Sequence, residues 1–215
     1  MTLNMKILIV RPDAIGDVVL MAPMIQSLKK QFPSCSITLL LRPYTRALFE
    51  SHPCVDDIYI EDKTLSFSKK VEEVRKRNFD YVFMPYLEPN YAWMMFFAGI
   101  PNRIGDGQKL GVRFLLTHPV SLNLRNVLQH EVDLNLSLVR GVFPEIKNDP
   151  TGRIYANETT WASVVKPLLD TFQCDLEAGY IIVHPTTGGG NRSWSPQSYN
   201  AFIEAFSKIR PEKII

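Results

Sequence analysis

Two short groups of polar residues in this 215-residue chain have the types and spacing that chemistry requires. Asp13, Gly16 and Asp17 stand in R-P-D-A-I-G-D, directly after the apolar run Lys6 to Val10. A carboxylate at such a turn can accept a proton from an attacking hydroxyl, help that is typically worth ~10²–10⁴-fold in rate. Far along the chain, Thr186, Thr187, Gly188, Gly189, Gly190 and Arg192 lie between a strand-like run and a helix-like one. Glycines let backbone N–H groups approach an anion, and the hydroxyls and the guanidinium add donors. Fixed donors aimed at developing negative charge are often the largest catalytic contribution. Each group also has a plainer reading. Asp17 fits an ordinary first-turn acid, favoured by the positive end of the helix dipole. Three consecutive glycines also suit a solvated loop. Spacing alone leaves both readings open.

The elements around the first group are legible. Lys6 to Val10 is rich in β-branched residues and reads as a strand buried on both faces. After Gly16 the apolar period changes: Val18, Ala22, Ile25, Leu28 and Phe32 form one helical stripe. Strand, glycine turn and helix open a doubly wound α/β domain, whose ligands bind beyond the carboxyl ends of the strands. Pro23 removes a helix hydrogen bond and predicts a kink or a fresh start there. A dinucleotide site is argued against, because G-x-G-x-x-G is missing and Arg42 stands where a ribose-binding acid would be expected.

Further strands are expected at 36–41, 57–60, 81–84 and 102–104, with helices at 44–51, 66–77 and 89–97. That alternation implies a parallel sheet with helices on both faces. Residues 105–128 show no clear period and read as a long loop carrying Lys109, Arg113, His118 and Arg125, either functional or merely solvated. Helical spacing returns over 129–142. The expected organisation is a first domain at 1–145, a linker at 146–156 and the start of a second α/β domain at 157–215. In the last part a helix is expected at 159–169, a buried strand at 180–183 ending in a structural His184, and a helix from Ser195, a good N-cap followed by Pro196. Pro211 to Ile215 reads as the beginning of a further strand. Roughly 60 residues fall short of the ~100–150 of a typical domain, so most of the second domain is expected to be missing.

The run R-x-D-x-I-G-D-V-V-x-x-x-P, Arg11 to Pro23, resembles the N-terminal signature of family 9 glycosyltransferases, the lipopolysaccharide heptosyltransferase-like enzymes. HPTTGGGNRSWSPQSY (His184 to Tyr199), AGIPNRIG (Ala98 to Gly105) and QHEVD (Gln129 to Asp133) follow the same family pattern, so the likeness extends over the whole chain. It implies a GT-B fold: a Rossmann-like acceptor domain, then the beginning of a nucleotide-sugar domain. It also implies inverting, metal-independent transfer of a sugar, heptose from ADP-heptose in the best-known members, to a lipopolysaccharide core or related glycan. Asp17 would be the catalytic base, with Asp13 as the competing candidate. Thr186, Thr187, Gly188 and Arg192 would bind the donor diphosphate, Arg192 taking the basic position before Trp194. Asp13, Gly16, Arg113 and His130 are the acceptor-side candidates. The glycine triplet departs from the family pattern. No cofactor is implied, and these residues alone are expected to be inactive. The alternative is a nucleotide- or glycan-binding α/β module without catalysis.

Composition narrows the remaining classes. With 46% hydrophobic residues, 21% charged residues and a net charge of +2, nothing points to nucleic acid as a partner. Cys35, Cys54 and Cys174 are scattered, as reduced thiols of a cytosolic protein are. The first apolar run is too short for a signal peptide. HEVDL at His130 has Leu134 where a zinc motif needs its second histidine, and no D-x-D is present, so no metal site is expected. YAWMMFFAGI, Tyr91 to Ile100, is about half the ~20 residues of a membrane span. Core packing is one use for it; the other is a surface helix in peripheral contact with the cytoplasmic face of the inner membrane. Arg11 is expected to pair with Asp13 or to hold phosphate.

Overall fold

The computed structural model describes residues 4–122, 130–155, 158–173, 179–185, 193–210 and 212–214. They form two compact units, Met1–Tyr155 and Ala156–Ile215. The first unit is built on six parallel strands: β1 (Lys6–Val10), β2 (Ser36–Leu41), β3 (Asp57–Ile60), β4 (Tyr81–Met84), β5 (Asn102–Asp106) and β6 (His118–Val120). Their order across the sheet is β3-β2-β1-β4-β5-β6. Ile7 is flanked by Ile37 on one side and Tyr81 on the other.

Strand alternation sorts the core into two layers. Ile7 and Ile9 join Ile37, Leu39 and Phe83 under α1 (Ile15–Val19), α2 (Ala22–Gln31) and α5 (Glu131–Arg140). Leu8 and Val10 face the other way, onto Val82, Met84 and the helices α3 (Phe67–Lys76) and α4 (Pro89–Ala98). Both faces are covered, which is why the strands read as unbroken apolar runs. Order reverses between β1 and β4, and at such a switch point an open α/β sheet leaves a crevice beyond its carboxyl ends.

Two local features depart from the sequence reading, and a third bears it out. Residues 105–128 are not one unstructured loop: they hold a 3₁₀ turn, Arg113–Leu115, and the edge strand β6. Pro119 weakened the strand signal, yet an edge position tolerates proline because one side of the strand needs no ladder donor. The expected helix at 44–51 is a 3₁₀ helix, Pro43–Leu48. The first helix is divided into α1 and α2 just before Pro23, as the missing N–H of proline demands. Buried Asn135 of α5 donates from Nδ2 to the Leu20 carbonyl at that break, 3.1 Å away.

The stretch after α5 packs back within the first unit. A Cβ on Gly152 would come within 2.5 Å of the Pro23 ring, so only glycine allows the chain to pass there unshifted. Buried His52 accepts the Cys54 N–H at Nδ1 (3.1 Å), and its Nε2 faces the Arg153 carbonyl at 3.1 Å, so the neutral ring with the proton on Nε2 satisfies both. Burial holds this imidazole below its ordinary value of 6.5, only partly offset by its bond to the Arg153 carbonyl. With the folded value below the unfolded one, the unfolded chain takes up the proton first. Stability is therefore full above 6.5 and falls as pH drops from there toward the folded value. Melting curves between about pH 7.5 and about pH 5 should show a larger fall in Tm for the parent than for His52→Gln.

In the second unit, α6 (Glu158–Thr160) runs through a π-helical turn, Trp161–Val165, into α7 (Lys166–Thr171). Strands β7 (Tyr180–Ile181) and β8 (Lys213–Ile214) pair in parallel, and α8 (Pro196–Ser207) has the expected cap, with Ser195 Oγ accepting the Ser198 N–H at 3.1 Å. The expected buried strand at 180–183 is corrected: β7 has two residues, Ile182 is 67% exposed and His184 is exposed. The two strands among the described residues of this unit offer too little sheet to enclose either of them.

Candidate active site

The carboxyl end of β1 runs straight into Arg11, whose N–H continues the ladder to the Leu40 carbonyl at 3.1 Å. Its side chain turns inward and is 4% exposed. A buried guanidinium needs anionic partners, and three converge on it. Nη2 lies 3.1 Å from Asp17 Oδ1 and 2.9 Å from Glu131 Oε1, and Nε lies 3.6 Å from Asp13 Oδ2. The expected Arg11–Asp13 pair is thus present, but as the longest of three contacts. Glu131 opens α5 immediately after His130, which caps that helix: His130 Nδ1 accepts the Val132 N–H at 3.2 Å. Two helix N-termini, those of α1 and α5, therefore aim carboxylates at one arginine.

Asp17 is tethered but not enclosed. Its side chain is 39% exposed, and Oδ2 has no partner among the described residues. Gly16 beside it is exposed, and a Cβ there would meet nothing within 4 Å, so neither packing nor backbone shape requires glycine. The space over Gly16 is open to a ligand. Asp13 is more committed: Oδ1 accepts the Ala14 N–H at 2.8 Å, and its carbonyl accepts the Tyr44 hydroxyl at 2.8 Å. Exposed Ile15 and Tyr44 stand beside the opening.

One guanidinium faces three carboxylates, so the cluster is left net negative. Such a cluster suits a neutral hydroxyl and repels phosphate. Arg113 is not joined to this cluster by any contact among the described residues. Its neighbours Val112 and Leu115 belong to the core layer of α3 and α4. Lys109 donates to the Leu87 carbonyl at 2.6 Å. Thr186, Thr187, Gly188, Arg192 and also Arg125 lie outside the described residues. A cavity of about 650 Å³ further along α2, lined by Gln26, Lys30, Lys147 and Asp149, contains no member of the Arg11 group. Sequence reasoning missed the Arg11–Glu131 link and the place of Tyr44. The QHEVD run held the only available signal for the former.

A parallel sheet of this order, with its polar group at the switch point, defines a Rossmann-like α/β fold. No protein-family model matches the chain. A Haemophilus influenzae protein provisionally named a glycosyltransferase is 26% identical over 208 residues, covering 93% of this chain and 59% of that protein. Among solved structures, the glycosyl transferase family 9 protein of Veillonella parvula superposes with a TM-score of 0.80 at 17% identity, covering 98% of this chain and 62% of that one. The ADP-heptose LPS heptosyltransferase II of E. coli gives 0.73 at 18% identity, covering 98% and 63%. The fold is therefore the GT-B fold of heptosyltransferases, as the sequence motifs implied, and the chain spans about three-fifths of the length of these proteins.

Proposed function

We propose that the chain carries the acceptor side of an inverting glycosyltransferase, with Asp17 as its base. The observation that carries this reading is the Asp17 carboxylate at the mouth of β1, with Oδ1 held by Arg11 and Oδ2 without a partner among the described residues, beside an open glycine. The acceptor hydroxyl gives its proton to Asp17 Oδ2 while its oxygen bonds to the anomeric carbon from the face opposite the nucleotide. The bond from that carbon to the phosphate oxygen breaks, and its electron pair leaves with the nucleoside diphosphate. One displacement inverts the anomeric centre.

The donor we assign is ADP-heptose or a similar nucleotide-sugar, and the acceptor is a lipopolysaccharide core or related glycan. The E. coli relative in fold is named for ADP-heptose and LPS, which supports both assignments. The net-negative Arg11 cluster supports a division of labour in which Thr186, Thr187, Gly188 and Arg192 bind the diphosphate. We assign the reaction to the cytoplasmic side, a reading supported by the scattered cysteines Cys35, Cys54 and Cys174.

The test is an assay of ADP-heptose with a heptose-deficient core acceptor, using a chain extended to the length of its relatives. The expected result is stoichiometric release of ADP and a glycosidic product of inverted configuration. Retained configuration would overturn the single-displacement mechanism. Donor binding without any turnover would leave the non-catalytic module as the correct reading.

A further inference from the structure

A strip of aromatic rings is exposed along α3, α4 and the 3₁₀ turn Arg113–Leu115. Phe67, Phe97 and Phe114 are 45%, 49% and 67% exposed, and Phe96 also reaches solvent. Trp93 binds the strip together: it stacks on Phe97 at 5.4 Å and meets Phe96 and Phe114 edge-on at 5.9 and 5.6 Å. Phe67 meets Phe97 at 6.2 Å. The inner side of α4 is already spent on the core through Ala92, Met94, Met95 and Ala98. This helix is therefore apolar inside and out, which the sheet it covers does not require. Contiguous exposed rings of this kind mark a surface that meets another phase or molecule.

The charges around the strip indicate which. Arg75 Nη2 donates to the Phe97 carbonyl at 2.7 Å, the Arg103 guanidinium lies 5.3 Å from the centre of the Phe96 ring, and exposed Arg113 immediately precedes Phe114. Among the described residues none of the three has a carboxylate partner, whereas Lys70 and Lys76 on the same helix α3 do. Arg103 is fixed by donating to the Leu115 and Ile100 carbonyls, so its charge is held in place beside the rings without a counter-charge among the described residues. Aromatic rings flanked by guanidinium groups that lack carboxylate partners fit the headgroup region of an anionic bilayer, where rings lie among glycerol and upper acyl groups and positive charges meet phosphates. A two-fold dimer through this surface would set the arginines of one copy against those of the other. No helix among the described residues is long and apolar enough to cross a membrane, so contact would be at the surface.

We infer that the Phe67–Trp93–Phe96–Phe97–Phe114 strip, with Arg75, Arg103 and Arg113, docks the first unit on an anionic membrane surface. The strip is separate from the Arg11 cluster, and docking is read without turnover, so failure of this inference leaves the proposed reaction standing. The 215-residue chain should co-sediment with vesicles of phosphatidylglycerol and phosphatidylethanolamine and much less with phosphatidylcholine vesicles. Phe97→Ser with Phe114→Ser should weaken partitioning about tenfold or more, since two rings no longer enter the interface. If that variant does not fold, Arg75→Gln with Arg113→Gln replaces it and should lower binding to anionic vesicles specifically. With Trp161→Phe and Trp194→Phe leaving Trp93 as the sole tryptophan, lipids brominated on the acyl chain should quench its fluorescence. Absence of binding to anionic vesicles, equal binding by the variants, or equal binding to phosphatidylcholine would overturn the inference. Self-association abolished by the double phenylalanine variant, with no vesicle binding, would assign the strip to a second copy of the chain.

Discussion

Asp17→Asn, in a chain of the full length of its relatives, should lower kcat by about 10²–10⁴-fold while leaving nucleotide-sugar affinity within about twofold. The amide is nearly the same shape, and its Oδ1 can still accept from Arg11 Nη2, which lies 3.1 Å from the carboxylate oxygen. What is lost is the second oxygen, the one with no described partner, which is the only part of this side chain free to take a proton. Donor affinity should hold because the cluster is net negative and does not seat the diphosphate. Asp13→Asn is the control. Its carboxylate is occupied by the Ala14 N–H and approached by the Arg11 Nε, so its removal should cost much less in kcat. An Asp13 effect equal to or larger than that of Asp17 would reverse the assignment.

The part of this site visible in the sequence was the part built from neighbours. β1, β2, β3 and β4 have the bounds expected from their apolar runs, because a strand covered on both faces must be apolar throughout. Pro23 announced the break between α1 and α2 through a missing N–H, and the turn carrying Asp13, Gly16 and Asp17 followed from the strand before it. Distant partners left no such mark. Glu131 reaches Arg11, and Asn135 reaches the Leu20 carbonyl, across 115 positions in the latter case. Only the doubly wound topology brings α5 beside α1 and α2. β6 was hidden for a different reason: His118, Pro119 and Val120 are too few and too polar to show a period, and pairing with β5 makes them a strand.

That long-range link carries the second large effect. Arg11→Met should lower stability by about 1–3 kcal/mol and reduce kcat by about 10²-fold, the loss typical when a reacting group is misplaced by ~1 Å. The stability loss stays below the 3–5 kcal/mol typical of a stranded buried ion because the charges left behind are not buried. Asp13, Asp17 and Glu131 side chains are 26%, 39% and 32% exposed, so water screens their mutual repulsion once the guanidinium is gone. Glu131→Gln should be milder, since Arg11 keeps two carboxylates and the amide oxygen can still accept from Nη2. Thermal melts of the two variants read the stability part. The kinetic part needs a cycle: if Arg11 acts by holding Asp17 in place, Arg11→Met added to Asp17→Asn should reduce the residual rate by less than about threefold. A full loss in that background would mean that the guanidinium touches substrate itself, and Arg11 would then be counted among the catalytic residues.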